Sequence, residues 1–148
     1  MSSSEPIPIV YGQGDRTAKG VQQIHSFIQD FVDRQQLLPR SIDEIERLIQ
    51  HSFTATAGGQ MVGFVALEIY SKKLSEIQCL AVDAQHRRLG IGRELVNRCV
   101  VRAREMDIME LMAISTSDEM FLACGFDYSL PNQKRALFIQ PNQARNPG

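Results

Sequence analysis

The chain has 148 residues, 43% hydrophobic and 22% charged, with a net charge of -1 at pH 7. That is the length of one ordinary domain, able to bury a core without metal or disulfide support. So even a charge balance gives no electrostatic reason to bind nucleic acid or an acidic membrane surface, and the apolar runs are far too short to span a bilayer.

The opening Met1-Ser-Ser-Ser-Glu-Pro6 lacks the basic and apolar regions of a secretory signal, so the expectation is a cytoplasmic protein with a disordered leader over 1–6. Cys79, Cys99 and Cys124 form no Cys-x-x-Cys pair, and His25, His51 and His86 are scattered. They read as reduced core thiols and isolated imidazoles, with no metal site.

Ile7 to Tyr11 is a short strand candidate broken by Gly12 and Gly14. From Thr17 to Gln35, Val21, Ile24, Phe27, Ile28, Phe31 and Val32 recur at helical spacing, which gives one buried face. Pro39 ends that run, and Ser41-Ile-Asp-Glu44 is a capping box for a second helix with Ile42, Ile45, Leu48 and Ile49 inward. Phe53 to Ala57 and Met61 to Tyr70 flank Gly58-Gly59 as a hairpin, and Lys72-Lys73 marks the next turn.

Leu74 to Val82 is the following strand, where period-two alternation sets Glu76, Gln78, Leu80 and Val82 on one face and Ile77, Cys79 and Ala81 on the other. Ile91, Leu95, Val96, Cys99, Val100, Ala103 and Met106 then stripe a long helix. Ile108 to Ile114 is another strand, Ser115-Thr116-Ser117 offers capping hydroxyls, and Asp118 to Cys124 is a short helix ended by Gly125. Phe126 to Leu130 and Ala136 to Ile139 make a last strand pair around Pro131-Asn132. A frayed tail covers 141–148, so the folded domain is expected over 7–140.

Between the strand ending at Val82 and the long helix lies Asp83-Ala-Gln85-His-Arg87-Arg88-Leu89-Gly90-Ile91-Gly92-Arg93. A helix start carries unpaired N–H groups and about half a positive charge, so a phosphate can dock there. Gly90 and Gly92 clear the approach, and Arg87, Arg88 and Arg93 add charge. No lysine follows Gly92, which excludes a P-loop, and Leu95 stands where a dinucleotide fingerprint needs a third small residue. A plain strand-to-helix turn with glycines for tight geometry is the bland alternative.

Arg87-x-x-Gly90-x-Gly92 between a strand and a helix resembles the acyl-coenzyme A pyrophosphate loop of the GCN5-related N-acetyltransferase (GNAT) superfamily. The element order matches that family over nearly the whole chain. The resemblance implies an α/β (α+β) fold, with a mixed central sheet of six to seven strands flanked by about four helices. Leu38-Pro-Arg40-Ser41, Glu76-x-x-Cys79-x-Ala81-Val82, Ser117, Phe121-x3-Gly125-Phe126 and Leu130-Pro131 are most similar to the acetyltransferase domain of bacterial N-acetylglutamate synthases. Thr116 stands where those enzymes commonly have an arginine, and Phe121 where many family members have a tyrosine.

What the resemblance implies is acetyl transfer from acetyl-CoA to a primary amine of a small, glutamate-like molecule. Backbone amides around Leu80, Ala81 and Val82 would pair with the pantetheine arm and polarise the thioester. Residues 87 to 93, with Leu89 and Ile91 among them, would hold the pyrophosphate, and Phe121 would pack on the arm. Glu76, with Glu68 in reserve, is the candidate acceptor of the amine proton, against the alternative of a solvated carboxylate at a strand end. Ser117 is either a helper for the leaving thiolate or only a helix cap. Arg40 either holds a substrate carboxylate or is a surface arginine at a helix start. The partners expected are a small-molecule amine, no nucleic acid and no membrane, with a homodimer left open. A non-catalytic acyl-coenzyme A sensing module and a protein or peptide N-acetyltransferase remain the other classes. Asp30, Asp33, Glu44 and Glu46 fall on outer helical faces, which favours a small acceptor over a peptide.

Overall fold

The helical spacing of Val21, Ile24, Ile28 and Phe31 becomes the buried side of α1 (Ala18–Asp33), whose first turn is closed by Thr17 accepting from the Gly20 N–H at 3.1 Å. The computed structural model describes residues 6–115, 117–128 and 136–142. α2 (Ile42–Leu48) opens on the expected capping box, in which Ser41 and Glu44 each accept from the other's backbone N–H at 3.1 Å. A single 3-10 turn, Ile49–His51, carries the chain into the sheet.

Five strands form that sheet in sequence order: β1 (Ile9–Gln13), β2 (Ser52–Ala57), β3 (Gln60–Ile69), β4 (Leu74–Val82) and β5 (Glu110–Met112). The first four run antiparallel, and β5 joins β4 in parallel. Gly58 and Gly59 both take positive φ, 58° and 78°, which is the twist a two-residue hairpin loop between β2 and β3 requires. α3 (Ile91–Glu105) crosses back over the sheet, and α4 (Glu119–Ala123) follows β5.

Each face of the sheet has its own core. On one, Ile24, Ile28, Ile45 and Leu48 of α1 and α2 cover Phe64, Ala66 and Cys79. On the other, Leu95, Val96 and Cys99 of α3 cover Val65, Leu67 and Ile77. Burying each of these large side chains contributes about 1.5–3 kcal/mol, so both helical layers are needed to hold β3 and β4 between them. Cys79 and Cys99 are free and buried in these two cores, and Cys124 is free and half-buried.

Four expectations change. The described residues hold five strands rather than six to seven: 126–128 and 136–139 carry no strand, and the rest of that C-terminal pair lies outside the described residues, as do 1–5 of the leader and 143–148 of the tail. Ile108 to Ile114 shrinks to Glu110–Met112, because β5 pairs only with Leu74, Ser75 and Glu76 before the two strands part. The strict alternation along β4 fails at a bulge. Phe64 pairs with Ala81 but Ala66 pairs with Gln78, so β4 holds one residue more than β3 there, and Cys79 takes the left-handed φ of 56° that absorbs it. Cys79 consequently joins the core under α1 and α2, while Leu80 joins Ile77 and Val82 on the α3 side. Finally, the serines do not cap α4. Its N-cap is Asp118, without a side-chain cap bond, and Ser115 Oγ instead accepts from the Ser117 N–H at 2.9 Å.

Candidate active site

The loop after β4 is anchored at its start, where the Asp83 N–H donates to Val62 O at 2.8 Å and His86 Nδ1 lies 2.9 Å from Asp83 Oδ2. It then turns through two left-handed residues, Arg88 at φ 67° and Gly90 at φ 78°, before α3 begins. The first helical bond is Glu94 N–H to Gly90 O at 3.0 Å. Among the described residues, the N–H groups of 88 to 93 have no acceptor, and they lie at or just before the positive end of a helix of 15 residues. Arg87 and Arg88 are exposed, without a carboxylate partner among the described residues.

Gly90 is there for its backbone angle, since nothing lies within 4 Å of a β-carbon built on it. Gly92 is there for space, with the Met120 sulfur of α4 at 3.1 Å and Val82 Cγ2 at 3.7 Å from such a carbon. Arg93 has a different task from its neighbours: its Nη2 donates to Ala123 O at 3.2 Å, tying the end of α4 to the start of α3.

From the loop a cleft of about 490 Å³ runs along β4, lined by Leu80, Val82, Gly90, Gly92, Ser117 and Phe121 among others. It exists because β5 stops at Met112 while β4 continues to Val82. Beyond Glu76 only β3 pairs with β4, so the other edge of residues 78 to 82 faces the opening. Phe121 is 8% exposed and meets Phe126 edge to face at 5.4 Å, which fixes its ring as one wall. Ser117 stands exposed at the rim. An extended chain ending in phosphates fits these features: unpaired strand edge along its length, bare N–H groups at its charged end.

Glu76 and Arg40 lie on the opposite face of the sheet. Glu76 pairs with Glu68 across β3 and β4, and Gln78 pairs with Ala66, whose side chain is in the core under α1 and α2. Arg40, just before α2, donates from Nη2 to Gln78 Oε1 at 2.9 Å and from Nη1 to Leu38 O at 3.0 Å. No carboxylate pairs with it among the described residues. Ala81 belongs to this face too, since its partner Phe64 does.

The structure thus gathers Leu80, Val82, the loop residues 87 to 93, Ser117 and Phe121 on one side of β4, and Arg40, Glu76 and Ala81 on the other. Three polar neighbours of Glu76 and Arg40 escaped sequence reasoning. Gln78 holds Arg40, Arg47 of α2 pairs with Glu68, and the Tyr70 hydroxyl donates to Glu76 Oε1 at 2.5 Å. Gln78 and Tyr70 carried a signal, Gln78 two residues from Glu76 on one strand and Tyr70 two residues from Glu68 in an extended run, whereas Arg47 carried none. The phenol is pushed up to about 12 by the bond to Glu76 and then by burial, so it stays a donor at any working pH. Among the described residues no group of His, Cys, Asp or Glu could hold a metal ion, and no helix is long and apolar enough to cross a membrane.

These features define an α/β protein whose sheet parts beside an anion-binding helix start, with separate polar ground on each side of the slot. The Acetyltransferase (GNAT) family model matches residues 20–126, and the chain belongs to that family. An uncharacterized N-acetyltransferase of Chlorobaculum tepidum is 33% identical over 90 residues, 61% of this chain and 58% of that protein. An amino-acid acetyltransferase of Pseudomonas putida is 33% identical over 116 residues, 74% of this chain but 26% of that protein. The chain therefore spans about three fifths and one quarter of these relatives. Among solved structures, N-acetylglutamate synthase of Neisseria gonorrhoeae, complexed with coenzyme A and N-acetyl-glutamate, superposes at a TM-score of 0.67 with 26% identity, over 81% of this chain and 28% of that one. A Mycobacterium tuberculosis protein complexed with CoA shares the fold at a TM-score of 0.70 and 22% identity, over 84% of this chain and 76% of that one.

Proposed function

We propose that this protein transfers an acetyl group from acetyl-CoA to the primary amine of a small, amino-acid-like molecule. The observation that carries it is the parting of β4 from β5 directly beside the unpaired N–H groups of 88 to 93. Two of the relatives named above, an amino-acid acetyltransferase and an N-acetylglutamate synthase, support the acceptor class.

In this reading the N–H groups of 88 to 93, with Gly90 and Gly92 leaving room, hold the diphosphate, and Arg87 and Arg88 screen its charge. Arg93 acts mainly by fixing α4, and Leu89 and Ile91 set the backbone that presents those N–H groups. Phe121 and Leu80 bound the pantetheine arm, while the open edge supplies the N–H groups of Leu80 and Val82 to it; the Ala81 N–H points the other way, toward β3. The ligand supplies an activated acetyl thioester. One strand N–H aimed at its carbonyl is worth about 3 kcal/mol where such donors have been removed. Glu76 takes the proton that the amine must lose, since an amine with a reference pKa near 10 is almost wholly protonated at neutral pH. Arg40 holds a carboxylate of the acceptor. Ser117 lies at the cleft rim as a proton donor to the leaving thiolate, a group whose pKa near 8.5 makes it tolerable without help.

The test is a thiol-release assay with acetyl-CoA against the common amino acids, spermidine, an aminoglycoside and a lysine peptide. Turnover confined to acidic amino acids is the expected result. Turnover only with spermidine, the aminoglycoside or the peptide overturns the acceptor class, and silence with all of them overturns the enzymatic reading.

A further inference from the structure

Three elements bring two carboxylates and two donors together on the α2 side of the sheet. Glu68 of β3 and Glu76 of β4 are direct cross-strand partners, a placement in which like charges repel. Each is given its own donor. Arg47 of α2 pairs with Glu68 Oε1, and the Tyr70 hydroxyl donates to Glu76 Oε1 at 2.5 Å, with Glu68 Oε2 farther away at 3.3 Å. A hydroxyl has one proton to give, and the shorter contact assigns it to Glu76. Glu76 Oε2 has no hydrogen-bond partner among the described residues.

We infer that Tyr70 is a positioning residue for acetyl transfer: it ties Glu76 Oε1 while Arg47 occupies Glu68, so that Glu76 Oε2 alone is left to receive the amine proton. This rests on the reading of Glu76 as the proton acceptor. The N–H bond of the ammonium breaks as the O–H bond at Oε2 forms, and the nitrogen keeps the electron pair with which it attacks. The same arrangement explains why the second carboxylate does not compete. Glu68 is only 16% exposed in its side chain and already bound to a guanidinium.

The groups facing Glu76 are few. From β3 comes Glu68 and from the connection just after it Tyr70, from α2 Arg47 reaches it through Glu68, from its own strand there is Gln78, and from β5 the register partner is Met112, which does not titrate. Removing the hydroxyl therefore removes the one direct donor to this carboxylate among them and frees Oε1 to turn.

The experiment compares the wild-type chain with Tyr70→Phe and Glu76→Gln. Tyr70 is 52% exposed, so the phenylalanine variant is expected to fold, and far-UV circular dichroism checks it. The carboxyl-carbon NMR signal of Glu76, assigned by its loss in Glu76→Gln, reads the contact without turnover. In Tyr70→Phe that signal is expected to move at a fixed neutral pH, because the hydroxyl bonded to Oε1 is gone. With the acceptor of highest turnover, kcat falls roughly tenfold or more while KM for acetyl-CoA is unchanged. A Glu76 signal unmoved in Tyr70→Phe overturns the inference. So does a signal that moves while kcat does not, or a fall in kcat matched by an equal rise in KM for acetyl-CoA. If Glu76→Gln itself leaves turnover intact, the proton-acceptor reading fails and takes this role with it, a result separable from the others.

Discussion

Gly92 and Met120 meet in the cleft beside β4: a β-carbon at position 92 would stand 3.1 Å from the Met120 sulfur. The neighbour is the mobile end of a flexible side chain, so it can give way. Gly90 has open space around it but a φ of 78°, which a side chain resists by about 1–2 kcal/mol. Ala at position 92 should therefore change Tm little and raise KM for acetyl-CoA only a few-fold, whereas Ala at position 90 should do more harm despite having room. Paired melting curves and KM values for the two variants check this, and the reverse order would contradict it.

Arg40 and Gln78 join the start of α2 to the bulged strand. Arg40→Lys keeps the charge but loses the planar fork that holds Gln78 and, in the proposed reading, would hold an acceptor carboxylate beside it. The expected outcome is a KM for the amine acceptor raised roughly tenfold, from a charge-assisted bond worth about 1.5–3 kcal/mol, with KM for acetyl-CoA unchanged. Equal effects on both constants would mean that Arg40 holds the fold rather than the acceptor.

His51 predicts how stability depends on pH. Its Nδ1 is buried without a hydrogen-bond partner among the described residues, and burial first, then the charges of Arg102 and Arg16, push the imidazole below its ordinary value of 6.5. The unfolded chain then binds more protons here than the native one, so stability rises with pH. The contribution is complete above the unfolded value and is lost as pH falls below about 6.5. His51→Gln should flatten that part of a Tm profile measured from pH 8 to pH 5. A drop of equal size in the variant would assign the effect to other groups.

Gly63 measures how closely α3 lies on the sheet. A β-carbon there would come within 3.0 Å of both Ile91 Cγ2 and Leu95 Cδ1, two residues that are 1% and 0% exposed. Neither can move into space, so Gly63→Ala should cost about 1–3 kcal/mol and lower Tm by several degrees. Because α3 fixes the loop of residues 88 to 93, to which the proposed function gives the diphosphate, KM for acetyl-CoA should rise in parallel. A variant as stable as the parent would show the helix free to lift.

Much of this was legible in the residues. Apolar spacing gave α1 and α3, Ser41 and Glu44 announced α2, and Gly58-Gly59 announced the hairpin, because each is a local arrangement that local forces decide. The faces of β4 were not legible beyond Gln78. A single extra residue at Cys79 reverses which side each later side chain takes, and periodicity cannot see it. The short β5 and the contact of Arg40 with Gln78, 38 residues away, arise from tertiary packing. Loop and strand edge were found because their chemistry is written in consecutive residues. The partners of Glu76 and Glu68 were missed because Tyr70 comes from the connection after a neighbouring strand and Arg47 from a helix.

The left-handed step at Cys79 divides the interior into two approaches. Whatever lies along Leu80 and Val82 arrives beneath α3, and whatever touches Arg40 arrives beneath α2, so neither visitor obstructs the other's doorway. An inhibitor that fuses the two must pass through the gap where β5 has left β4, which makes its linker, more than either headgroup, the part that decides fit.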